Sequence, residues 1–388
     1  CAPSLPKSRA GDATFYEHAL SLIRDQYHGE IQKRFPRVLR SNGGYGLDSL
    51  GPPKVSVDVT KLLCGSEGTL AIIVSATLNL VPLPQHAGLV VVHFSNLLSA
   101  LSATPAILKH QPAAIELIDK LILSASRSHP SIAEPCAFLE GEPEAILVVE
   151  FFDDDFETLE QHLGALTADP EIRNAAYSCV KVIDSQHQKD VWNIRKSGLG
   201  LLMSKPGDFQ PYSFVEDTAV DPNRLHDYIE RFQEILQRER VAAGYYAHAS
   251  VGCIHVKPIL NLKSGEDVER MLRIANAVSN LALEFGGAFT GEHGDGIVRS
   301  CFLEKMYGPQ IMAAFRDVKK LFDPQNLFNP NKIVDPLPMT EHLRQGPAFA
   351  EKHVKTYLDF SAHGGMAGLA GMCTGVGQCR QRLVGTMC

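Results

Sequence analysis

The stretch GEHGDG at residues 291–296 sets a carboxylic acid, Glu292, beside an imidazole, His293, between glycines. Glycine lets a backbone approach a ligand closely, Glu292 offers a hard oxygen, and His293 offers a nitrogen that titrates near neutral pH. Upstream, HASVGCIH places His248 and His255 on either side of a glycine. Two imidazoles and one carboxylate, His248, His255 and Glu292, are the donor set of a catalytic divalent-metal site with an open position. Zinc or manganese suits that set better than magnesium, which prefers oxygen ligands and keeps its waters. The spacing matches no common metal signature, and on spacing alone solvated or structural histidines are the commoner explanation. Neighbouring side chains in an extended or tightly turned segment point apart, so Glu292 can hold a metal while His293 faces a substrate and takes a proton. A carboxylate substrate also asks for an arginine, whose planar fork holds two oxygens. Arg195 in VWNIRKSG is the candidate, with a surface helix arginine as its plain alternative and Lys205 or Arg299 as the next choices.

Such residues need a frame. The 388 residues suffice for two or three domains. A net charge of -7 carries no basic excess, which disfavours nucleic acid as a partner but leaves room for a local cationic pocket that takes a small anion. A hydrophobic share of 45% with 7% aromatics belongs to a globular chain. The runs GLVVVHF at 88–94 and AILVVEFF at 145–152 are too short to span a bilayer and read as buried strands. Nothing at the start has the charged-then-apolar form of a secretion leader. Nine cysteines are too sparse for a disulfide scaffold, but Cys373, Cys379 and Cys388 cluster near the end and ask for a metal explanation.

Periodicity predicts a helix from about Thr14, then a strand or two over residues 70–80 ending at Pro82. From Ala87 to about Ala219 strands and helices alternate, and a helix runs from about Val268 to Phe285. The segment YSFVEDTAV reads as a strand leading through a turn into a helix. The succession predicts an α+β fold in which helices cover a mostly antiparallel sheet.

Four ordered segments together carry a resemblance: GSEGTL at 65–70, HASVGCIH at 248–255, GEHGDGIVRS at 291–300 and LFDPQNLFNPNKIV at 321–334. They resemble the flavin-linked 2-hydroxyacid dehydrogenases of the vanillyl-alcohol-oxidase type. That group includes a component of glycolate oxidase, D-lactate dehydrogenase and D-2-hydroxyglutarate dehydrogenase. The likeness is greatest to large bacterial members in which a ferredoxin-like iron-sulfur half follows the flavoprotein half. It implies a partial FAD-binding domain over 1–86, a substrate or cap domain with an antiparallel sheet and covering helices over 87–335, and a linker with the start of an iron-sulfur domain over 336–388. It also implies that the family's glycine-rich phosphate loop lies upstream and that the chain starts inside the flavin domain.

Carried onto matching positions, the resemblance places Gly65, Ser66, Glu67, Gly68, Thr69 and Asn329 by the FAD and gives His248, His255 and Glu292 the metal. It makes His293 the general base and Arg195 the holder of the substrate carboxylate. Cys373, Cys379 and Cys388 become ligands of a 4Fe-4S cluster. Cys253 stands where members closer to 2-hydroxyglutarate dehydrogenase carry Asn, which weakens transfer of that substrate. The implied reaction moves a hydride from a D-2-hydroxyacid, of lactate or 2-hydroxyglutarate type, to flavin, with electrons passing to a quinone or a carrier protein. The implied location is the cytoplasm or the inner face of the bacterial membrane. The competing expectation is a non-catalytic folded fragment, a cap region that forms a homodimer and retains no FAD.

Overall fold

A computed structural model describes residues 13–128, 136, 138–203, 206–352, 354–373, 375, 377 and 380. The chain begins with α1 (Ala13–Arg34) and α2 (Val59–Leu63). Next come β1 (His86–Phe94), α3 (Leu97–Leu108), β2 (Ala114–Asp119), α4 (Lys120–Ser128) and β3 (Ala145–Asp153). They are followed by α5 (Phe156–Ala168), α6 (Pro170–Ala175), β4 (Ser178–Val182) and α7 (Ser185–Met203). Two short strands, β5 (Gln210–Pro211) and β6 (Thr218–Ala219), precede α8 (Leu225–Glu239). The hairpin β7 (Ala243–His248) and β8 (Cys253–Leu260) leads to α9 (Gly265–Glu284), α10 (Gly296–Arg299), α11 (Leu303–Phe322) and α12 (Gly365–Gly371).

Local chemistry sets several helix starts. The side chains of Asn96, Asp155 and Asp169 accept hydrogen bonds from the backbone N–H groups of Ser99, Thr158 and Glu171, which satisfies donors that a helix leaves open at its first turn. α8 stops at Arg240, which adopts the left-handed conformation.

Among the described residues the strands form one eight-stranded sheet in the order β4-β1-β3-β2-β7-β8-β5, with β6 also paired to β8, and every pairing is antiparallel. One face packs Val90, Val92, Leu147 and Val149 beneath α3, α5, α6, α8 and α9 in the main core. The other face packs Leu89, Val91, Ile146 and Val148 against Ile122 of α4 and Val191 and Ile194 of α7. Cover on both faces is why GLVVVHF and AILVVEFF are unbroken apolar runs rather than alternating ones. Burying each such side chain contributes roughly 1.5–3 kcal/mol.

The α+β expectation with an antiparallel, helix-covered sheet is met. Two local expectations are corrected. Residues 70–84 carry no strand, and Ile72, Val74, Leu78 and Leu80 are exposed, Val74 to 94%. A β-rich sequence becomes a strand only by hydrogen bonding to a neighbour, and among the described residues none pairs with this segment. YSFVEDTAV contributes only the two residues of β6, since its acids turn inward to a buried site rather than continuing a ladder. Among the described residues, no helix is long and apolar enough to cross a membrane.

Candidate functional site

The site is built on β2, β7 and β8. Side chains alternate between faces along a strand, and directly paired residues of antiparallel strands share a face. The register sets Glu116 opposite His248 and His248 opposite Cys253, with Ile118, Tyr246 and His255 forming the next row. His248 and His255 therefore lie on one face although seven residues separate them. The turn between them requires its glycine. Gly252 has φ +70°, and a Cβ there would meet the Val220 carbonyl oxygen at 1.9 Å.

GEHGDG is brought over this face by Asp217, which is fully buried with φ +75°. Its carboxylate accepts backbone N–H hydrogen bonds from Gly291 at 3.1 Å, Glu292 at 3.0 Å and His293 at 2.9 Å. A buried carboxylate satisfied by three donors makes a rigid clamp on the turn. From the other side, Glu67 accepts from the backbone N–H of Asp295 at 2.6 Å and of Gly296 at 2.8 Å. Gly294 lies at φ +82° within this clamp, and a Cβ there would approach Glu67 Oε1 to 2.9 Å. Asn42 donates from Nδ2 to the Glu292 carbonyl at 3.2 Å.

Three imidazoles then converge on one oxygen. Nε2 of His248, His255 and His293 lies 3.0, 3.4 and 3.5 Å from Glu292 Oε1. Each Nδ1 faces a different carboxylate oxygen. His248 Nδ1 is 2.5 Å from Glu116 Oε1 and His293 Nδ1 is 2.9 Å from Glu216 Oε1. His255 Nδ1 is buried 3.3 Å from Glu216 Oε2, a close approach whose geometry falls short of a hydrogen bond. The rings of His255 and His293 stack at 4.8 Å.

Charges follow from these contacts. His255, with help from the charges of His248 and His293, holds the Glu292 carboxyl down at about 2 against the cost of its burial. Burial works against ionisation of Glu216. The adjoining imidazoles of His255 and His293 and the ammonium of Lys257 outweigh it and keep Glu216 well below the usual carboxylate range. Hydrogen bonding to Glu116 raises His248, and hydrogen bonding to Glu216 raises His293, both opposed by burial.

α7 supplies the opposite wall. Val191 and Ile194 bury one stripe of that helix, and the next positions turn Trp192, Arg195 and Lys196 towards an open cavity of about 410 Å³ shared with Tyr246 and the three histidines. Arg195 donates from Nε to Glu116 Oε2 at 2.8 Å, and its guanidinium lies 4.6 Å from the centre of the Tyr246 ring. Its terminal nitrogens make no hydrogen bond among the described residues, which leaves the forked end for an anion.

Residues 83–333 match the family described as FAD linked oxidases, C-terminal domain. The chain belongs to this family. It is 32% identical over 321 residues to D-2-hydroxyglutarate dehydrogenase of Pseudomonas putida, an alignment that covers 81% of this chain and 32% of that protein. The protein of the same name from Escherichia coli is 31% identical over 346 residues, covering 86% of this chain and 34% of the other. Glycolate oxidase subunit GlcD of Bacillus subtilis is 26% identical over 301 residues, covering 76% and 60%. The chain thus spans about a third of the length of the first two relatives.

The structure brings His248, His255, His293 and Arg195 to one cavity, with Glu292 against the three imidazoles. It also joins the segments resembling flavin contacts to the same turn. Within 65–69, Glu67 grips the GEHGDG backbone, its own carbonyl accepts from Asn329 Nδ2 at 2.8 Å, and the Thr69 carbonyl accepts from Lys319 Nζ at 2.7 Å. Gly65, Ser66 and Gly68 complete that loop, in which the Ser66 carbonyl accepts from the backbone N–H and the hydroxyl of Thr69. Cys373 is exposed and stands apart in the tail, while Cys379, Cys388 and Lys205 lie outside the described residues. Arg299 is buried and spent on Glu216 and the Gly294 carbonyl, so it is not a free substrate arginine. Glu116, Glu216, Asp217 and Lys257 were not singled out by sequence reasoning. The available signals were acids inside otherwise apolar runs, AIELI and SFVEDTAV, and a lysine two residues after His255 on the same strand face.

The donor types suit a divalent cation. Among the described residues, the two groups of possible ligands whose atoms lie within 4.8 Å of one another, Asp217 with Cys253, His255 and Glu292, and Glu216 with His255 and His293, do not include His248. Two Nε2 atoms meet one carboxylate oxygen, and each of those imidazoles turns its Nδ1 towards a second carboxylate, the outer arrangement that orients metal-binding histidines. Cys253 and Asp217 also lie within reach of His255 and Glu292.

Proposed function

We propose that the residues around Glu292 serve the oxidation of a small D-2-hydroxyacid to the 2-oxoacid in an FAD-dependent protein. The observation that carries this reading is the convergence of three imidazole Nε2 atoms on Glu292 Oε1, the three rings lining a cavity that Arg195 shares. Family membership and the names of the relatives, two of them 2-hydroxyglutarate dehydrogenases, support the substrate class.

In this reading Arg195 takes the substrate carboxylate on its free fork and Glu116 holds the guanidinium in place. His248, His255 and Glu292 would hold a divalent metal, zinc or manganese, which would supply Lewis acidity. His293 accepts the hydroxyl proton on Nε2 while its Nδ1 stays on Glu216. The 65–69 loop and Asn329 would hold FAD, which would supply the hydride acceptor. Cys373, Cys379 and Cys388 would be candidate ligands of an iron-sulfur cluster, which would supply onward electron transfer.

The test uses the full-length protein and anaerobic reduction of its flavin by D-2-hydroxyacids. His293→Ala should slow reduction by about 10²–10⁴-fold with flavin still bound. Reduction at the wild-type rate would sink the assignment of the base.

A further inference from the structure

We propose that Glu67 is a positioning residue that couples the 65–69 loop to the turn carrying Glu292 and His293, so that FAD seated on the loop also orders the groups that act on the substrate. The inference rests on the reading of that loop as a flavin contact, and it explains why an acid stands in the middle of a glycine-rich loop.

Glu67 has φ +54°, a left-handed conformation that suits glycine and strains any residue with a side chain. Gly65 and Gly68 in the same loop lie at φ +78° and +67°, so a third glycine would have relieved position 67. What a glycine lacks is the carboxylate, and both of its oxygens are engaged. Oε1 accepts from the backbone N–H of Asp295 and Oε2 from that of Gly296, one oxygen for each donor. The turn is shaped to receive it, since a Cβ on Gly294 would press to within 2.9 Å of Oε1. The Glu67 carbonyl meanwhile accepts from Asn329 Nδ2. One residue thus joins the loop, the turn and the NP segment.

The other attachments direct any ordering of the loop towards the turn. Lys319, buried on α11, donates from Nζ to the carbonyls of Thr69 and Phe328 at 2.7 Å each and pairs with Asp323 at 2.6 Å, which anchors the far end of the loop beside the NP segment. Gly68 is exposed, and a Cβ there would meet nothing within 4 Å, so the outer backbone of the loop is open to close approach by a cofactor. On the turn, Asp217 holds the N–H groups of Gly291, Glu292 and His293 from the sheet side, while Glu67 holds those of Asp295 and Gly296 from the loop side. The base on the turn and the group on the loop must meet the same substrate atoms, so a fixed spacing between the two segments serves the reaction. A ligand that orders one of two linked segments orders the other, and the coupling runs both ways.

The experiment is amide hydrogen exchange, read by mass spectrometry on the full-length protein with FAD bound and after its removal. In wild type, FAD should slow exchange in peptides covering 65–69 and 291–296 alike, by about 5-fold or more. Glu67→Gln keeps the size of the side chain but leaves one acceptor oxygen for two donors. In that variant FAD should still slow exchange at 65–69 and no longer at 291–296. Glu67→Asp, too short to reach the turn, should behave likewise and carries the test if Glu67→Gln does not fold. The readout is the change that FAD makes, which a side chain with only a structural role would leave as it is. Protection of 65–69 alone in wild type, or wild-type protection of both segments in a folded variant, would overturn the proposal. A wild-type loop that FAD does not protect would remove the flavin reading of 65–69 and this proposal with it, so the two failures are told apart.

Discussion

The two faces of the same three strands, β2, β7 and β8, obey opposite rules. On one face Leu117, Ala247 and Ile254 form a cross-strand row, with Val256 beside it, in the main core. One residue along each strand, Glu116, His248 and Cys253 form the neighbouring row on the face that opens to the cavity. The apolar face holds the sheet against α3, α8 and α9 by burial, which is non-directional and proportional to area. The polar face is held by directional pairs whose cost of burial is met only when every partner is present. Substitutions on the first face should therefore act on stability, and those on the second on binding and chemistry.

The sharpest break in that contrast is His255→Ala. Reconstituted protein should hold near-stoichiometric zinc or manganese by elemental analysis and the variant should lose it, while the fold persists. A wild-type chain that takes up neither metal would return His255 to a structural role. On the core face, Leu117→Ala should cost about 2–5 kcal/mol in urea unfolding with metal content unchanged. A loss of metal of the same proportion would show that the two faces are not separable.

Arg195→Lys should raise the apparent substrate constant of the full-length protein by about 10–100-fold, because charge remains but the fork is lost. Steady-state kinetics without that change would place the carboxylate elsewhere.

The smallest effect sharpens the core face. Burial pushes Asp119 up from 3.8 to about 7, although the backbone N–H groups of Ile122 and Tyr245 bond to it. Between those values the folded chain keeps a proton that the unfolded chain releases, so this group makes stability fall as pH rises across that window. Thermal unfolding of Asp119→Asn should show a shallower fall than wild type over that range, and equal slopes would remove Asp119 as the cause.

Much of the frame was legible in the sequence. The run 268–285 reads as a helix and the structure has α9 at Gly265–Glu284; AILVVEFF reads as a buried strand and forms most of β3. The residues His248, His255, Glu292, His293 and Arg195 were also nameable, through the resemblance that four ordered segments carry rather than through residue types and spacing alone. What could not be read was the second layer of acids. Glu116 reaches His248 across 132 residues, and Glu216 reaches His293 across 77, distances over which no local periodicity carries information.

The contrast between 70–84 and β8 shows the same division. Both segments are rich in β-forming residues, so the sequence determines that each favours an extended backbone. Cys253–Leu260 becomes a strand because β7 folds back on it and β5 and β6 also pair with it, giving its peptide groups partners and its side chains two covered faces. The segment 70–84 has the propensity and no partner among the described residues, so from Ile72 to Leu83 its large apolar side chains stay exposed. Propensity is local and resides in the sequence, whereas pairing, burial and the meeting of three imidazoles at one oxygen are long-range events that only the tertiary structure decides.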